Sequence, residues 1–356
     1  MRILVTSLSP RAEKFKQVEK RLKELHAQAR EHTHELVDEP AEADIILLGN
    51  IRDENHYKLV RDSAFLATYH NKTFAVTALD RPVYVLHGIY SGAEKTPLRC
   101  GRIRSGSYAI FQNRFRNPEI GKAAKASQNN KNPRYLFSFM GTNNNWVRNT
   151  LINQTYERQD VYLTDATGVY SYSSDRNAAK ETMQSHYARV LAQSKFALCP
   201  RGIGASSLRL FEALELGVAP VIISDAWLPC EGPDWNTFCI FVKEKDTRRI
   251  EAILKQHEAE YAERGKLARQ AFERFFADHN YFNYLVSLCQ SIQRTQKIPE
   301  SVFWRTRHIT FWLHMLWRKQ YNARKRIGHR FARTRTTGRK ATCQQFPKSR
   351  DKNRRA

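Results

Sequence analysis

Short apolar runs and amphipathic helical stretches alternate along the chain, and this alternation restricts the fold more than any other feature. Residues 14–29 carry Val18, Leu22 and Leu25 on one side of a predicted helix. The apolar runs in the first third predict buried strands at residues 2–7, 43–49, 73–79 and 82–88. Because strands separated by helices usually pair in parallel, we expect a doubly wound α/β sheet.

A second alternation follows the polar, basic stretch at residues 121–134, which is typical of a linker. Its predicted strands are 135–141, 160–166, 195–200, 219–225 and 238–244, and its predicted helices are 146–154, 178–194, 206–216, 247–260 and 265–276. The 356 residues suffice for two domains, so we expect an α/β protein with two Rossmann-like domains facing a cleft. The expected units are domains at 1–130 and 134–290, an amphipathic helical segment at 291–325, and a basic, disordered tail at 326–356.

The net charge of +24 is concentrated at the end of the chain. Residues 301–356 hold 17 Lys and Arg against one acid, Asp351, and account for +16 of the total. Such a tail indicates partners more than fold, and nucleic-acid binding is one interpretation. No zinc-finger spacing or RNA-recognition motif accompanies the charge, so we expect no nucleic-acid partner. The six scattered cysteines contain no C-x-x-C pair, which favours reduced thiols in a cytoplasmic protein without a metal site.

A turn of small residues follows the predicted strand 195–200. It contains Pro200, Arg201, Gly202, Gly204, Ser206 and Ser207. Ligands of open parallel sheets bind beyond the carboxyl ends of the strands, and glycine allows the backbone to approach them closely. A helix beginning at one of the serines would direct amide groups to that space, and Arg201 would add donors for phosphate oxygens. The turn therefore predicts an anion site, with simple helix capping by serine as the alternative.

Two charged residues, Arg209 and Glu212, lie on the side of the following predicted helix away from its apolar face. Arg209 could bind a pyrophosphate, and Glu212 could accept hydrogen bonds from ribose hydroxyls. A solvated surface pair is the alternative interpretation. A second turn of the same kind, SFMGTNNNWVRN, places Gly141 and Arg148 after the predicted strand 135–141.

The stretch FALCPRG…SSLRLFEALELGVAPVIISDAWLPCEGPDWNTFCIFV resembles the signature region of the exostosin family of glycosyltransferases, and YLFSFMGTNNNWVRNTLI is similar to the strand and turn upstream of it. The resemblance covers residues 134–245. It implies a GT-B fold with a nucleoside-diphosphate sugar bound to the second domain, inversion at the anomeric carbon, and no essential metal or cofactor. Because no membrane anchor precedes the first strand, the chain looks like a bacterial-type soluble member.

The resemblance also assigns site residues. The family motif carries donor-site roles to Arg148, Arg201, Ser207, Arg209 and Glu212. With the two turns, the predicted diphosphate-binding residues are Gly141, Arg148, Arg201, Gly202, Ser206, Ser207 and Arg209, and Glu212 is the predicted ribose-binding residue. The run Gly204-Ala205-Ser206 departs from the usual pattern, which leaves the hydroxyl donor open between Ser206 and Ser207.

The chemistry implied by this resemblance needs two kinds of group. Negative charge develops on the leaving diphosphate, and preorganised donors stabilise it. The acceptor hydroxyl needs a general base from the first domain. The candidates are Asp80 in TALDRP and His87 in VLHG, each near the end of a predicted strand. A turn residue is the alternative role for Asp80, and a satisfied core histidine is the alternative for His87.

The segment 301–340 places Phe303, Trp304, Phe311 and Trp312 just before a run of arginines. A helix with these residues suits an anionic membrane surface, and packing on the first domain is the alternative. We expect a cytoplasmic enzyme, peripheral on the inner face of the membrane. Its expected reaction is sugar transfer to a glycan or lipid-linked acceptor in surface polysaccharide synthesis. The alternative functions are nucleic-acid binding and an inactive sugar-binding scaffold.

Overall fold

The protein is an α/β structure with two fully parallel sheets, seen in a computed structural model that describes residues 1–8, 16–49, 59–80, 82–96, 101–110, 116–127, 132–167, 178–309, 311–313 and 316. The first sheet has the order β2-β1-β3-β4-β5-β6. Its strands are β1 (Arg2–Ser7), β2 (Glu35–Leu36), β3 (Ile45–Gly49), β4 (Thr73–Thr77), β5 (Gly88–Tyr90) and β6 (Ile103–Ser105). The predicted parallel sheet in the first third is therefore confirmed.

Helices accompany this sheet, besides a helical stretch at residues 59–61. They are α1 (Lys16–Ala27), α2 (Ala64–Tyr69), which continues into a 3-10 turn at His70–Lys72, and α3 (Pro118–Ser127). Helix α1 forms as its spacing predicts, with Val18, Leu22 and Leu25 buried in the core shared with β1 and β3.

The second sheet has the order β11-β10-β9-β7-β8. Its strands are β7 (Tyr135–Gly141), β8 (Val161–Asp165), β9 (Ser194–Pro200), β10 (Ala219–Ile223) and β11 (Ile240–Phe241). The helices are α4 (Trp146–Asn153), α5 (Ala178–Ala192), α6 (Leu208–Leu216), α7 (Trp235–Phe238), α8 (Ile250–Gln256), α9 (Tyr261–Ala271), a π-helical turn (Phe272–Phe276), α10 (Asp278–Thr295) and α11 (Glu300–Arg305). Gly217 ends α6 in the left-handed conformation, with φ 70°, as its position predicts.

Helices cross from each half of the chain to the other. Helix α3 packs against α5 and α6, whereas α10 returns to pack against α1 and β5. Asp278, at the start of α10, pairs with Arg21 at 2.7 Å and with Arg116 at 2.6 Å. One apolar core runs from the first sheet through α10 to α6, so the two halves share buried surface.

Two predictions of local structure are wrong. Residues 82–87 are not a strand; β5 begins only at Gly88, because a run of buried apolar residues reports burial and not strand pairing. The predicted linker is helical up to Ser127, since Ile120 and Ala124 of α3 are buried against the second half. Helix α10 also runs through the predicted boundary at residue 290. The predicted tail at 326–356 lies outside the described residues.

Candidate functional site

The carboxyl ends of β7, β9 and β10 lie side by side at one edge of the second sheet. The loop 201–207 leaves β9 at this edge and leads into α6. Gly204 in the loop faces the first half, where a Cβ atom would lie 2.5 Å from the carbonyl oxygen of Asp80. Only glycine permits so close an approach. The loop is therefore held where the two halves of the chain meet.

Arg148 fastens this loop to the turn after β7. Its guanidinium donates to three backbone carbonyls, those of Arg201 (3.1 Å), Pro200 (3.3 Å) and Thr142 (3.1 Å). A Cβ atom at Gly202 would come within 2.9 Å of Nη2 of Arg148. Gly202 thus makes room for the guanidinium, and Arg148, predicted to bind the diphosphate, shapes the loop through its carbonyls.

Arg209, in the first turn of α6, reaches across to the end of β7. Its Nη2 donates to the carbonyl of Met140, and its guanidinium carbon lies 4.5 Å from the centroid of the Phe139 ring. A Cβ atom at Gly141 would lie 2.7 Å from the same Nη2. Gly141 therefore admits the arginine. Because Arg209 is only 8% exposed, its interpretation as a solvated surface residue is wrong.

Arg201 is the most deeply buried of these three arginines, at 1% exposure. Its Nη1 lies 3.5 Å from Oε1 of Glu244, just after β11. Glu244 and Asp225 also fix one another, because each carboxylate accepts a hydrogen bond from the other's backbone amide, at 3.2 and 3.1 Å. We call Arg148, Arg201 and Arg209 the arginine cluster.

Three buried hydroxyls close to the carboxyl ends of the strands of the second sheet have no hydrogen-bond partner among the described residues. They belong to Thr164 on β8, Ser206 in the loop after β9, and Ser224 after β10. A buried hydroxyl without a partner costs about 1–3 kcal/mol. Ser207 is the N-cap of α6, yet its side chain makes no capping hydrogen bond. Capping therefore does not explain either serine of the turn.

Glu212 lies one turn further along α6. Its Oε2 accepts a hydrogen bond from the hydroxyl of Tyr187 at 2.5 Å. Burial raises the pKa of Glu212 above its ordinary value, and the hydrogen bond and the nearby Arg209 oppose that rise only in part. The same residue borders a cavity of about 340 Å³ between the halves, which Tyr108, Arg116 and Phe276 also line. A carboxyl group in this position can accept hydrogen bonds from hydroxyl-bearing ligands.

The two predicted base candidates lie at opposite edges of the first sheet. Asp80 follows β4, so it lies at the carboxyl edge. Asp80 is exposed, and its backbone lies beside Gly204. His87 precedes β5 and therefore lies at the amino edge. Its ring is 2% exposed and stacks on Phe74 at 3.9 Å. This burial removes the access that a general base needs.

His87 belongs instead to a buried polar group that we call the Arg102 lock, formed by His87, Arg102, Gln296 and Glu300. Nε and Nη2 of Arg102 donate to the two carboxylate oxygens of Glu300. The backbone amide of His87 donates to the same carboxylate at 3.1 Å, and its Nδ1 lies 3.0 Å from Oε1 of Gln296. Burial lowers the pKa of His87, against the raising effect of Glu300. His87 is therefore a core histidine, bonded through Nδ1, whereas its Nε2 makes no hydrogen bond within the described part of the chain.

Several residues of this region escaped the sequence analysis. Ser224 and Asp225 are the last two residues of the predicted strand 219–225, and the carboxyl-end rule that selected the turn after β9 would have found them. Tyr187 and Glu244 carry no local signal, because only the tertiary fold brings them to Glu212 and Arg201. Among the described residues, no three His, Cys, Asp or Glu side chains come together as a metal site requires. No helix in that part of the chain could span a membrane.

Comparison with known proteins shows which proteins the chain resembles. Residues 111–257 match the exostosin GT47 domain. The chain is 27% identical to an Exostosin-1 homolog of Caenorhabditis elegans over 61% of this chain and 66% of that protein. It is 30% identical to Exostosin-1 of Drosophila melanogaster over 43% of this chain and 22% of that protein. A probable glucuronosyltransferase of Oryza sativa shares 40% identity over 19% of this chain and 16% of that protein.

The chain thus spans less than two thirds of the length of the curated relatives it matches. The matched region includes the arginine cluster, the loop 201–207 and Glu212. The motif and the matched domain agree: residues 111–257 match an exostosin GT47 domain, and the chain is similar to exostosins and other glycosyltransferases.

Proposed function

We propose that this chain transfers a sugar from a nucleoside-diphosphate sugar to a hydroxyl of a glycan or lipid-linked acceptor, in surface polysaccharide synthesis. The observation that carries the proposal is the meeting of three guanidinium groups, the start of α6 and the buried Ser206 at one sheet edge. Carbonyl oxygens orient two of the guanidinium groups. Such an edge suits a leaving diphosphate.

In this proposal each group has one task. Arg201 and Arg209 face the developing charge. Arg148 and Gly202 keep the loop in position, and Gly141 leaves room for Arg209. Ser206 and Ser207 donate to phosphate oxygens, and the amides of the first turn of α6 assist. Because protein cations neutralise the diphosphate, the reaction needs no metal, and attack opposite the leaving group inverts the anomeric carbon.

Glu212 binds the ribose in the same proposal. Tyr187 holds the Glu212 carboxylate beside the cavity, so ribose hydroxyls that enter the cavity lie next to a hydrogen-bond acceptor. Comparing UDP with 2′-deoxy-UDP tests this role. We expect the wild type to bind the deoxy compound about tenfold more weakly, and Glu212→Ala to bind both compounds equally. Discrimination retained by the variant would contradict the assignment.

Asp80 is the proposed general base. It lies across the junction from the loop 201–207, where the two halves would form the cleft of a GT-B enzyme. We expect Asp80→Asn to lower turnover by about 10²–10⁴-fold while leaving UDP affinity unchanged. An inactive scaffold would bind UDP and show no turnover with any sugar nucleotide, and Asp80→Asn would then change nothing.

Nucleotide binding without metal tests the donor site directly. We expect UDP or GDP to raise the melting temperature in EDTA, and Arg201→Ala or Arg209→Ala to lower that affinity at least about tenfold. Arg158→Ala is the matched control, because Arg158 pairs with Asp160 and Glu258 at the other edge of the same sheet. No shift with any nucleoside diphosphate, or an equal loss in the control, would refute the donor site.

A further inference from the structure

The last described residues carry an exposed apolar surface that the proposed function does not use. Helical residues 307–309 and 311–313 follow the turn at Thr306. Four apolar side chains here are between 36% and 60% exposed: Ile309, Trp312, Leu313 and Leu316. Their spacing of three, four and seven residues places them on one helical face. We call this surface the outer ridge.

The opposite face of the same segment is anchored to the first half. Trp304 is buried, and its ring stacks on His70 at 5.3 Å. Arg307 lies over the Trp304 ring at 4.3 Å and donates to the carbonyl of Arg61 at 3.3 Å. Phe311 packs against the core of that half. Contacts on this inner face therefore turn the outer ridge outward.

The sequence that carries the outer ridge is strongly basic. Arg305 and His308 are exposed beside it, and 17 of the 18 charged residues counted as Lys, Arg, Asp or Glu from 301 onward are basic. Aromatic and aliphatic side chains in a strongly basic sequence match the boundary between acyl chains and anionic headgroups. A second copy of this chain would bring an equal positive charge to the contact, which disfavours self-association.

We propose that the outer ridge docks on an anionic lipid surface. Trp312 and its apolar neighbours enter the headgroup boundary, and the arginines contact lipid phosphates. The segment packs beside the 3-10 turn His70–Lys72, which precedes β4, so docking uses the amino edge of the first sheet. The loop 201–207 meets the other edge of that sheet, at Asp80. Docking therefore leaves the candidate donor site accessible, and the proposal does not depend on the transfer reaction.

The test is sedimentation of the full chain with lipid vesicles. We expect binding to phosphatidylcholine vesicles that contain phosphatidylglycerol, weak binding to pure phosphatidylcholine, and loss of binding at high salt. The variant Ile309→Ser/Trp312→Ser/Leu313→Ser should bind at least about tenfold more weakly. Phe241→Ser is the matched control, because Phe241 is 44% exposed on the second half, and it should bind like the wild type.

Three results would overturn the proposal. The first is no binding of the wild type to anionic vesicles. The second is equal binding of the triple variant and the wild type, which would leave the charge alone responsible. The third is a concentration-dependent dimer in light scattering that the triple variant abolishes, which would make the outer ridge a contact between copies. Circular dichroism and UDP binding of the variant show whether it is folded.

Discussion

Two of the regions that bury arginine in this molecule, the Arg102 lock and the arginine cluster, surround it differently. In the Arg102 lock, one carboxylate receives both ends of the guanidinium fork, and Nη1 donates to the carbonyl of Tyr84 at 2.9 Å. In the arginine cluster, Arg148 and Arg209 donate to backbone carbonyls, and Arg201 lies 3.5 Å from Glu244. The lock is a compensated ion pair, whereas the cluster concentrates positive charge.

This difference separates a structural from a functional use of the same side chain. A buried ion pair with complete hydrogen bonding fixes two segments together, here the first sheet and the start of α11. Guanidinium groups oriented mainly by carbonyls retain their field, and that field can act on an anion. The lock should therefore govern stability, and the cluster should govern ligand binding.

The largest effect is expected at the lock. Glu300→Ala leaves the Arg102 guanidinium buried without its carboxylate, so the free energy of unfolding should fall by about 3–5 kcal/mol. Urea titration measures the loss. The exposed Glu263, paired with Lys266 at 3.7 Å, is the control, and Glu263→Ala should cost less than about 0.5 kcal/mol. If Glu300→Ala weakened UDP binding and left stability unchanged, the two regions would have exchanged roles.

A smaller effect distinguishes two buried serines. Ser206→Ala removes a hydroxyl without a hydrogen-bond partner among the described residues, so stability should stay constant or rise while UDP affinity falls about fivefold. Ser194→Ala removes a hydroxyl that bonds Ser138 and the carbonyl of Val190. It should cost about 1 kcal/mol of stability and leave UDP affinity unchanged. Calorimetry with and without UDP measures the stability and the UDP affinity of each variant. If Ser206→Ala lost stability and kept its UDP affinity, the Ser206 hydroxyl would have a structural role.

The smallest effect concerns pH. Burial lowers the pKa of His87 from 6.5, so the unfolded chain binds a proton at a higher pH than the folded one. Its contribution to stability is therefore complete above about pH 6.5 and declines as the pH falls through 6.5. His87→Phe keeps the stack on Phe74. The wild type should lose more free energy of unfolding than this variant between pH 7.5 and 5.5, by less than about 1.4 kcal/mol.

Urea titrations of both proteins at the two pH values measure that difference. His34 and His186, whose pKa values burial also lowers, are unchanged in the comparison, so the difference isolates His87. Equal pH dependence in the two proteins would show that His87 has no part in the acid sensitivity of the lock.

The two halves also differ in how well periodicity predicted them. Residues 135–141 form β7 as predicted, because a buried central strand shows as a continuous apolar run. Residues 82–88 show a similar run, yet only Gly88 joins a strand, because burial between α11 and the core needs no pairing. That error moved His87 from the amino edge of the sheet to the carboxyl edge in the prediction, and so made a core histidine look like a base.

The sequence by itself determined the parallel α/β class, the turn after β9 and the resemblance to the exostosin GT47 domain, because strand periods, small residues and motif spacing are local properties of the chain. Only the tertiary structure decided what each arginine contacts and which hydroxyls lack a partner among the described residues. It also decided that α3 packs on the second half of the chain and α10 on the first. The physical reason is that burial and charge compensation depend on residues far apart in the chain. Arg102 and Glu300, 198 positions apart, form a lock that no local pattern encodes.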